Sequence, residues 1–238
     1  MTEYRALANS GRVIERSANV LSSAAQAVLG NGAADDRSLS RAPSLDPEIT
    51  NADVIARFIV GEMINNTSDQ STDFQRIKAN LTPIPFDTPD YESLYAARLF
   101  AAMLIFKSLV GYGQPWDHKK FIVSRWGKLA RLTASLIEYD VWSNIHFGYV
   151  GLQAGFDADV LLNCAGIAQA ISSDVPEGWF RRFYRGDKSV FAALDDPRDQ
   201  EAIKIGIEVS RKFGSSLTQD QFGGYLRANL ARVAWSAP

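Results

Sequence analysis

Apolar positions recur with helical spacing along most of the chain, and runs that alternate apolar and polar are missing. Residues 3–29 carry Leu7, Val13, Ile14, Val20, Leu21, Val28 and Leu29 near a seven-residue period, which predicts an amphipathic helix with a thin apolar stripe. Gly30-Asn31-Gly32 ends it. Residues 30–48 hold Gly, Ser, Asp and Pro with almost no large apolar side chain, the composition of a mobile linker. A domain boundary is therefore expected near residue 48, with residues 1–48 a tethered helix and 49–238 the main domain.

In that domain Thr50 and Asp53 read as a capping box before Val54, Ile55, Phe58, Ile59 and Met63. Three prolines, Pro83, Pro85 and Pro89, predict a loop over 81–90. A long apolar helix is expected from Tyr91 to Val110, closed by Gly111 and Gly113. Residues 117–139 read as one helix with basic faces, and 141–154 as an apolar segment broken by glycines. Asp157 is placed to cap a helix over 158–171. Asp196-Pro197 opens another helix, with proline at its first position and acids in its first turn, running to Gly214. Thr218–Val233 is the last. Short β-branched runs such as Phe121–Val123 are too brief for a sheet. The fold class is all-α, an irregular multi-helix globular domain, with at most a small hairpin in 174–194.

Composition fits one globular domain with an appendage: 238 residues, 46% hydrophobic and 22% charged. The single cysteine, Cys164, excludes an intrachain disulfide and sits among Val160, Leu161, Leu162 and Ile167 as an expected inert core residue. Met1–Arg16 has no apolar run of signal-peptide type. The longest uninterrupted apolar run, Leu99–Phe106, is far short of the ~20 residues of a membrane span, so stable membrane insertion is not expected. The expectation is a protein made in the cytoplasm that leaves it, if it leaves, without a cleaved signal.

Net charge is only −2, but its distribution is uneven. Lys119, Lys120, Arg125, Lys128 and Arg131 form one basic cluster, and Arg181, Arg182, Arg185 and Lys188 another. They are either solvated helix faces or the walls of a phosphate-binding cleft. Walker loops, GxGxxG, CxxC pairs and HExxH are absent.

The chain has two histidines, and each lies in polar, aromatic surroundings. His118 stands in Pro115-Trp116-Asp117-His118-Lys119. His146 stands in the run Asp140-Val141-Trp142-Ser143-Asn144-Ile145-His146-Phe147-Gly148-Tyr149-Val150-Gly151. Imidazole is the side chain best matched to proton transfer near neutral pH. RNA cleavage through the 2′-OH needs a base, an acid and a cation at the phosphate. His118 and His146 can be the acid–base pair, Lys119 the cation, and Asp117 the group that orients an imidazole. Asn144 can hold a phosphoryl oxygen or a base edge, and Trp116, Trp142 and Tyr149 can stack on an unpaired base. Gly148 and Gly151 can let backbone approach a ligand. Arg198 and Asp199, in a polar group with Asp195 and Asp196, read as an anion ligand and a histidine partner, or as helix capping. No cofactor is expected. Asp117, His118, Asp140 and His146 have metal-ligand chemistry without the spacing of a tight motif, so no metal is expected either.

Three segments resemble the polymorphic toxin type 44 family, the bacterial toxin 44 domain: PWDHK at 115–119, DVWSNIHFGYVGLQAGF at 140–156 and DDPRDQEAIKIGI at 195–207. The resemblance covers about 110–210. It implies a mainly helical toxic effector domain, found at the C-terminus of larger secreted proteins, with ribonuclease activity and a cognate immunity protein as partner. A second reading from the residues is cleavage of peptidoglycan by a carboxylate pair, drawn from Glu138, Asp140 and Asp117, with the aromatic residues as sugar platforms. A third is a non-enzymatic helical interaction protein. All of these require the 117–119 and 140–149 segments to be compared in space, and Asp117, His118, Asn144 and His146 are expected to converge.

Overall fold

A computed structural model of the chain describes residues 51–171 and 196–235, the side chains of 165–171 excepted. The expected helix at 3–29, the linker, the cap at Thr50, the second basic cluster and the hairpin in 174–194 lie outside the described residues. Eight α-helices are described: α1 (Ala52–Asn66), α2 (Thr72–Leu81), α3 (Tyr91–Val110), α4 (Lys119–Trp126), α5 (Tyr139–Ala154), α6 (Ala158–Ile171), α7 (Pro197–Phe213) and α8 (Gln219–Ala228). One hairpin, β1 (Leu129–Leu132) and β2 (Ser135–Glu138), and two 3₁₀ turns complete them. The fold is mostly α, as the hydrophobic periodicity requires.

Local chemistry sets the helix ends. In α1 the Asn51 side chain accepts from Asp53 N (2.8 Å), and Ala52, Ile55, Ala56, Ile59, Val60 and Met63 form its buried stripe. The Asp196 side chain caps α7, with Pro197 at its first position. Thr218 and Gln221 form a reciprocal capping box on α8. That last helix ends at Ala228, short of the expected Val233, and a 3₁₀ turn at Leu230–Arg232 follows.

Residues 117–139 are not one helix. Gly127, at φ +84°, stops α4, and the chain turns back through Thr133, at φ +56°. Leu129 to Leu132 then pair antiparallel with Ser135 to Glu138. The hairpin is stabilised by tertiary contacts that sequence periodicity does not register: Ala130, Leu132 and Ile137 are buried, and Trp235 N donates to Leu136 O (2.7 Å).

Residues 141–154 are likewise unbroken. They belong to α5, the central helix, buried along nearly all its length and packed most extensively on α7. The two run in the same direction, with Glu138 beside Arg198 at one end and Gln153 Nε2 donating to Ser210 Oγ (2.8 Å) at the other. They cross through glycine. A Cβ on Gly148 would lie 2.2 Å from Ile203 O, and one on Gly206 would lie 2.0 Å from Ile145 O. At Gly151 a Cβ would meet the Leu161 side chain at 2.5 Å. The motif glycines 148 and 151 therefore admit neighbouring helices, not a ligand.

The hairpin leads directly into α5, and α4 precedes the hairpin, so α4 and α1 lie together on a face of α5 that α7 leaves uncovered. Helix α3 is long and apolar enough to cross a membrane by length and composition, with a mean hydropathy of 1.5 over its most apolar 18 residues. Leu99, Ala102, Phe106 and Leu109 tie it to the core.

Candidate functional site

The two histidines meet where α1, α4 and α5 come together. His118 immediately precedes α4, and His146 lies mid-way along α5. Their ring centroids are 4.4 Å apart with the planes at 88°, an edge-on contact. His146 is fully buried and His118 is 4% exposed.

Helix α1 supplies the rest of the site. Phe58, Glu62 and Asn66 follow one another at four-residue intervals and so share one face. All three touch the histidine pair. Phe58 meets the His118 ring edge-on at 5.5 Å. The Glu62 carboxylate lies 3.9 Å from His118 Nε2. Asn66 Nδ2 donates to His146 Nε2 at 3.0 Å. With the amide donating, Nε2 is the bare nitrogen of a neutral ring and the proton sits on Nδ1. Trp116 closes the opposite side, 6.2 Å from His146 and edge-on.

Burial sets the protonation of this corner. Desolvation lowers His118 to about 4, with Asp117 opposing it weakly. His146 falls well below the usual imidazole range, chiefly through burial and then through the neighbouring His118. Burial raises the Glu62 carboxyl. Each shift favours the uncharged form, so imidazoles are stripped of protons while the carboxyl beside them holds its own more tightly. Among the described residues, His118 Nε2 and His146 Nδ1 are buried without a hydrogen-bond partner, and so is Trp142 Nε1, one turn from His146 on α5. An unmet buried polar atom costs about 1–3 kcal/mol, so three around one corner require a reason other than packing.

The other candidates divide. Asp117 accepts from Gly113 N (2.8 Å) and Lys119 N (3.2 Å), which turns its carboxylate into its own loop. Lys119 is half-buried at the start of α4, beside His118 in the chain. Asn144 precedes His146 by two residues, about 200° round the helix, and so faces away from it. Its Nδ2 is buried and unpartnered. Trp142 and Tyr149 are fully buried, so neither ring presents a face to solvent, and Tyr149 donates its hydroxyl to Gly214 O (2.7 Å). Arg198 is ion-paired with Glu138, which joins the anion-ligand candidate to the carboxylate candidate. Burial raises the Glu138 carboxyl first and Asp140 raises it further, while Arg198 pulls it down. Asp140 accepts from Val141 N (2.9 Å) at the start of α5. Asp199 is half-buried in the first turn of α7. Cys164 has a thiol pushed up to about 12 by burial, the state of an unreactive cysteine. Among the described residues no group of three metal-ligating side chains occurs.

Comparison with protein families matches residues 105–212 to bacterial toxin 44. This segment belongs to the bacterial toxin 44 family. It contains both histidines, α4, the hairpin, α5 and most of α7. Helix α1 lies outside the toxin 44 match, so Phe58, Glu62 and Asn66 reach the histidines from beyond it. The chain matches no curated protein, and it matches no solved structure. Sequence reading missed Phe58, Glu62 and Asn66 because α1 reads as a core helix. The available signal was the four-residue spacing of two polar side chains and a ring beside an otherwise apolar stripe.

Proposed function

We propose that the chain is a toxin effector that cleaves RNA at the corner formed by His118, Glu62 and His146. The family assignment supports the toxin role. The observation that carries the chemistry is the neutral imidazole of His118 held 3.9 Å from a carboxyl whose proton affinity is raised. A group lying to one side, about 2.8 Å from each, is within hydrogen-bond reach of both. His118 Nε2 takes the proton of the 2′-OH, O2′ attacks phosphorus, and Glu62 protonates the departing 5′-oxygen. Lys119 and the neighbouring Lys120 and Arg125 bring positive charge to the phosphate. His146, with no exposed surface, is a positioning residue: Asn66 sets its tautomer, and its ring fixes that of His118. Nε2 of His118 is buried in this structure, so substrate reaches it only after side chains around it move. Such an effector acts in a target cell and is held in check in its producer by an immunity protein.

Glycan cleavage is the second reading. It is favoured by the Glu138 carboxyl, raised first by burial and then by the neighbouring Asp140. The Arg198 ion pair counts against it, because it occupies the carboxylate that would have to donate a proton. Expression in bacteria separates the two. The RNA reading expects cytoplasmic expression to stop growth with degraded RNA, and His118→Asn and Glu62→Gln to relieve it without loss of fold. Toxicity confined to periplasmic expression, with lysis and intact RNA, overturns it and promotes Glu138 and Asp140.

A further inference from the structure

Beside His118, the rings of Phe58, Phe121 and Trp126 make a cluster in which Phe58 and Trp126 pack against the core and Phe121 lies outside it. Phe58 lies 4.9 Å from Phe121 and 5.3 Å from Trp126, and Phe121 lies 5.6 Å from Trp126. A continuous series of ring contacts therefore runs from buried His146 through His118 and Phe58 to Phe121, which is 49% exposed. Phe86 and Tyr112 are more exposed, but Phe121 is set apart by its ring contacts with Phe58 and Trp126, which make an aromatic patch rather than a lone exposed ring. Here it borders positive charge. Arg125 follows Phe121 by one turn of α4 and is exposed, and among the described residues it has no ion-pair partner. Lys128, also exposed, lies just beyond the helix end. By contrast, the three aromatic residues first considered for stacking, Trp116, Trp142 and Tyr149, are buried.

We infer that Phe121, with Phe58 and Trp126 behind it, is the stacking subsite for an unpaired nucleobase, and that Arg125 and Lys128 hold the adjoining phosphates of a single-stranded nucleic acid. The inference rests on the RNA reading of the neighbouring corner and specifies its substrate as single-stranded. The physical case is the pairing of π-faces with cations. Rings alone suit sugars or apolar partners equally well, whereas rings bordered by arginine and lysine with no nearby acid on α4 suit a base joined to a phosphate. Phe58 touches both rings, so a base stacked at Phe121 lies only two ring contacts from His118.

The test is equilibrium binding of a fluorescent 2′-O-methyl oligonucleotide, which cannot be cleaved through its 2′-oxygen, to the full chain. Single-stranded and duplex forms are compared, alongside a neutral chitin oligosaccharide. Phe121 is exposed, so Phe121→Leu and Phe121→Trp are expected to fold as the parent does, checked by circular dichroism and melting. The expected result is single-strand binding weakened by about 5- to 100-fold in Phe121→Leu, the range for one lost base stack, and retained in Phe121→Trp, because any π-face serves. Arg125→Gln is expected to weaken binding and to reduce its salt dependence. Equal single-strand binding by Phe121→Leu and the parent overturns the inference. So does duplex binding as tight as single-strand binding, or binding of the chitin oligosaccharide alone. The two proposals fail separately. Oligonucleotide binding that depends on Phe121, in a chain that leaves RNA intact, keeps the subsite and removes the cleavage. RNA cleavage unaffected by Phe121→Leu keeps the cleavage and removes the subsite.

Discussion

Helix α5 has two faces with opposite characters. Toward α7 it is close-packed: backbone meets backbone at Gly148 and Gly206, Gln153 bonds Ser210 and Tyr149 bonds Gly214, and Asn144, one turn before Gly148, leaves one buried amide nitrogen without a partner among the described residues. Toward α1 and α4 it carries Trp142 and His146, with buried nitrogens that find no partner among the described residues. The same helix thus holds the fold on one side and, on the other, gathers two unpartnered ring nitrogens next to a third on His118. A chain selected for stability alone replaces such groups with apolar ones of similar size. Their presence beside His118 and Glu62 is what the proposed chemistry at the second face accounts for.

This contrast is broken most directly at the crossing. Gly206→Ala is expected to lower stability by about 3 kcal/mol or more, because the added methyl meets backbone atoms of Ile145 and Tyr149 that cannot move aside singly. Denaturant titration reads the loss. Gly224→Ala, at a helical glycine with open space around it, is the control and is expected to be neutral or slightly stabilising. A tolerated Gly206→Ala means that α5 and α7 are not in contact as described.

Acid sharpens the contrast from the other side. His118 has a folded value near 4 against an ordinary 6.5, and His146 is lowered as well. Between those values the unfolded chain binds more protons than the folded one. Stability is therefore full above pH 6.5 and falls as the pH drops, by about 1.4 kcal/mol per pH unit for each histidine inside its window. Glu62, shifted upward, acts in the opposite sense above its ordinary value and offsets part of this. Stability measured at pH 7, 6 and 5 is expected to decline, and His146→Gln is expected to flatten the decline. An unchanged slope in that variant places the acid sensitivity elsewhere.

The smallest effect is expected at Asn66. Asn66→Ala removes the donor to His146 Nε2 and is expected to cost about 1–2 kcal/mol. It is also expected to slow catalysis through kcat, leaving KM little changed, because His146 positions a ring without touching substrate. A variant with altered KM and normal kcat contradicts that role.

Much of this was legible in the chain. Local signals placed α3 between a proline-rich loop and glycines, and Asp196-Pro197 opened α7 where capping chemistry puts it. Two histidines in polar surroundings, 28 positions apart, meet in space. What escaped is long-range. Asn66 and Glu62 lie 80 and 56 positions from the histidines they touch, and no periodicity reports a contact of that kind. The hairpin escaped because strands of four residues need a tertiary frame, here Trp235 and the core under Ala130 and Ile137. The motif glycines were visible, but a glycine that admits a helix and one that admits a ligand look alike in sequence.

The central claim is that the α1–α4–α5 corner works while the α5–α7 crossing only holds. Purified chain and His118→Asn, incubated with single-stranded RNA and melted in parallel, test it together. The account predicts cleavage by the parent, leaving a 2′,3′-cyclic phosphate, and a fall of about 100-fold or more in the variant with its melting temperature kept within a few degrees. A variant that stays folded and cleaves as fast as the parent contradicts it.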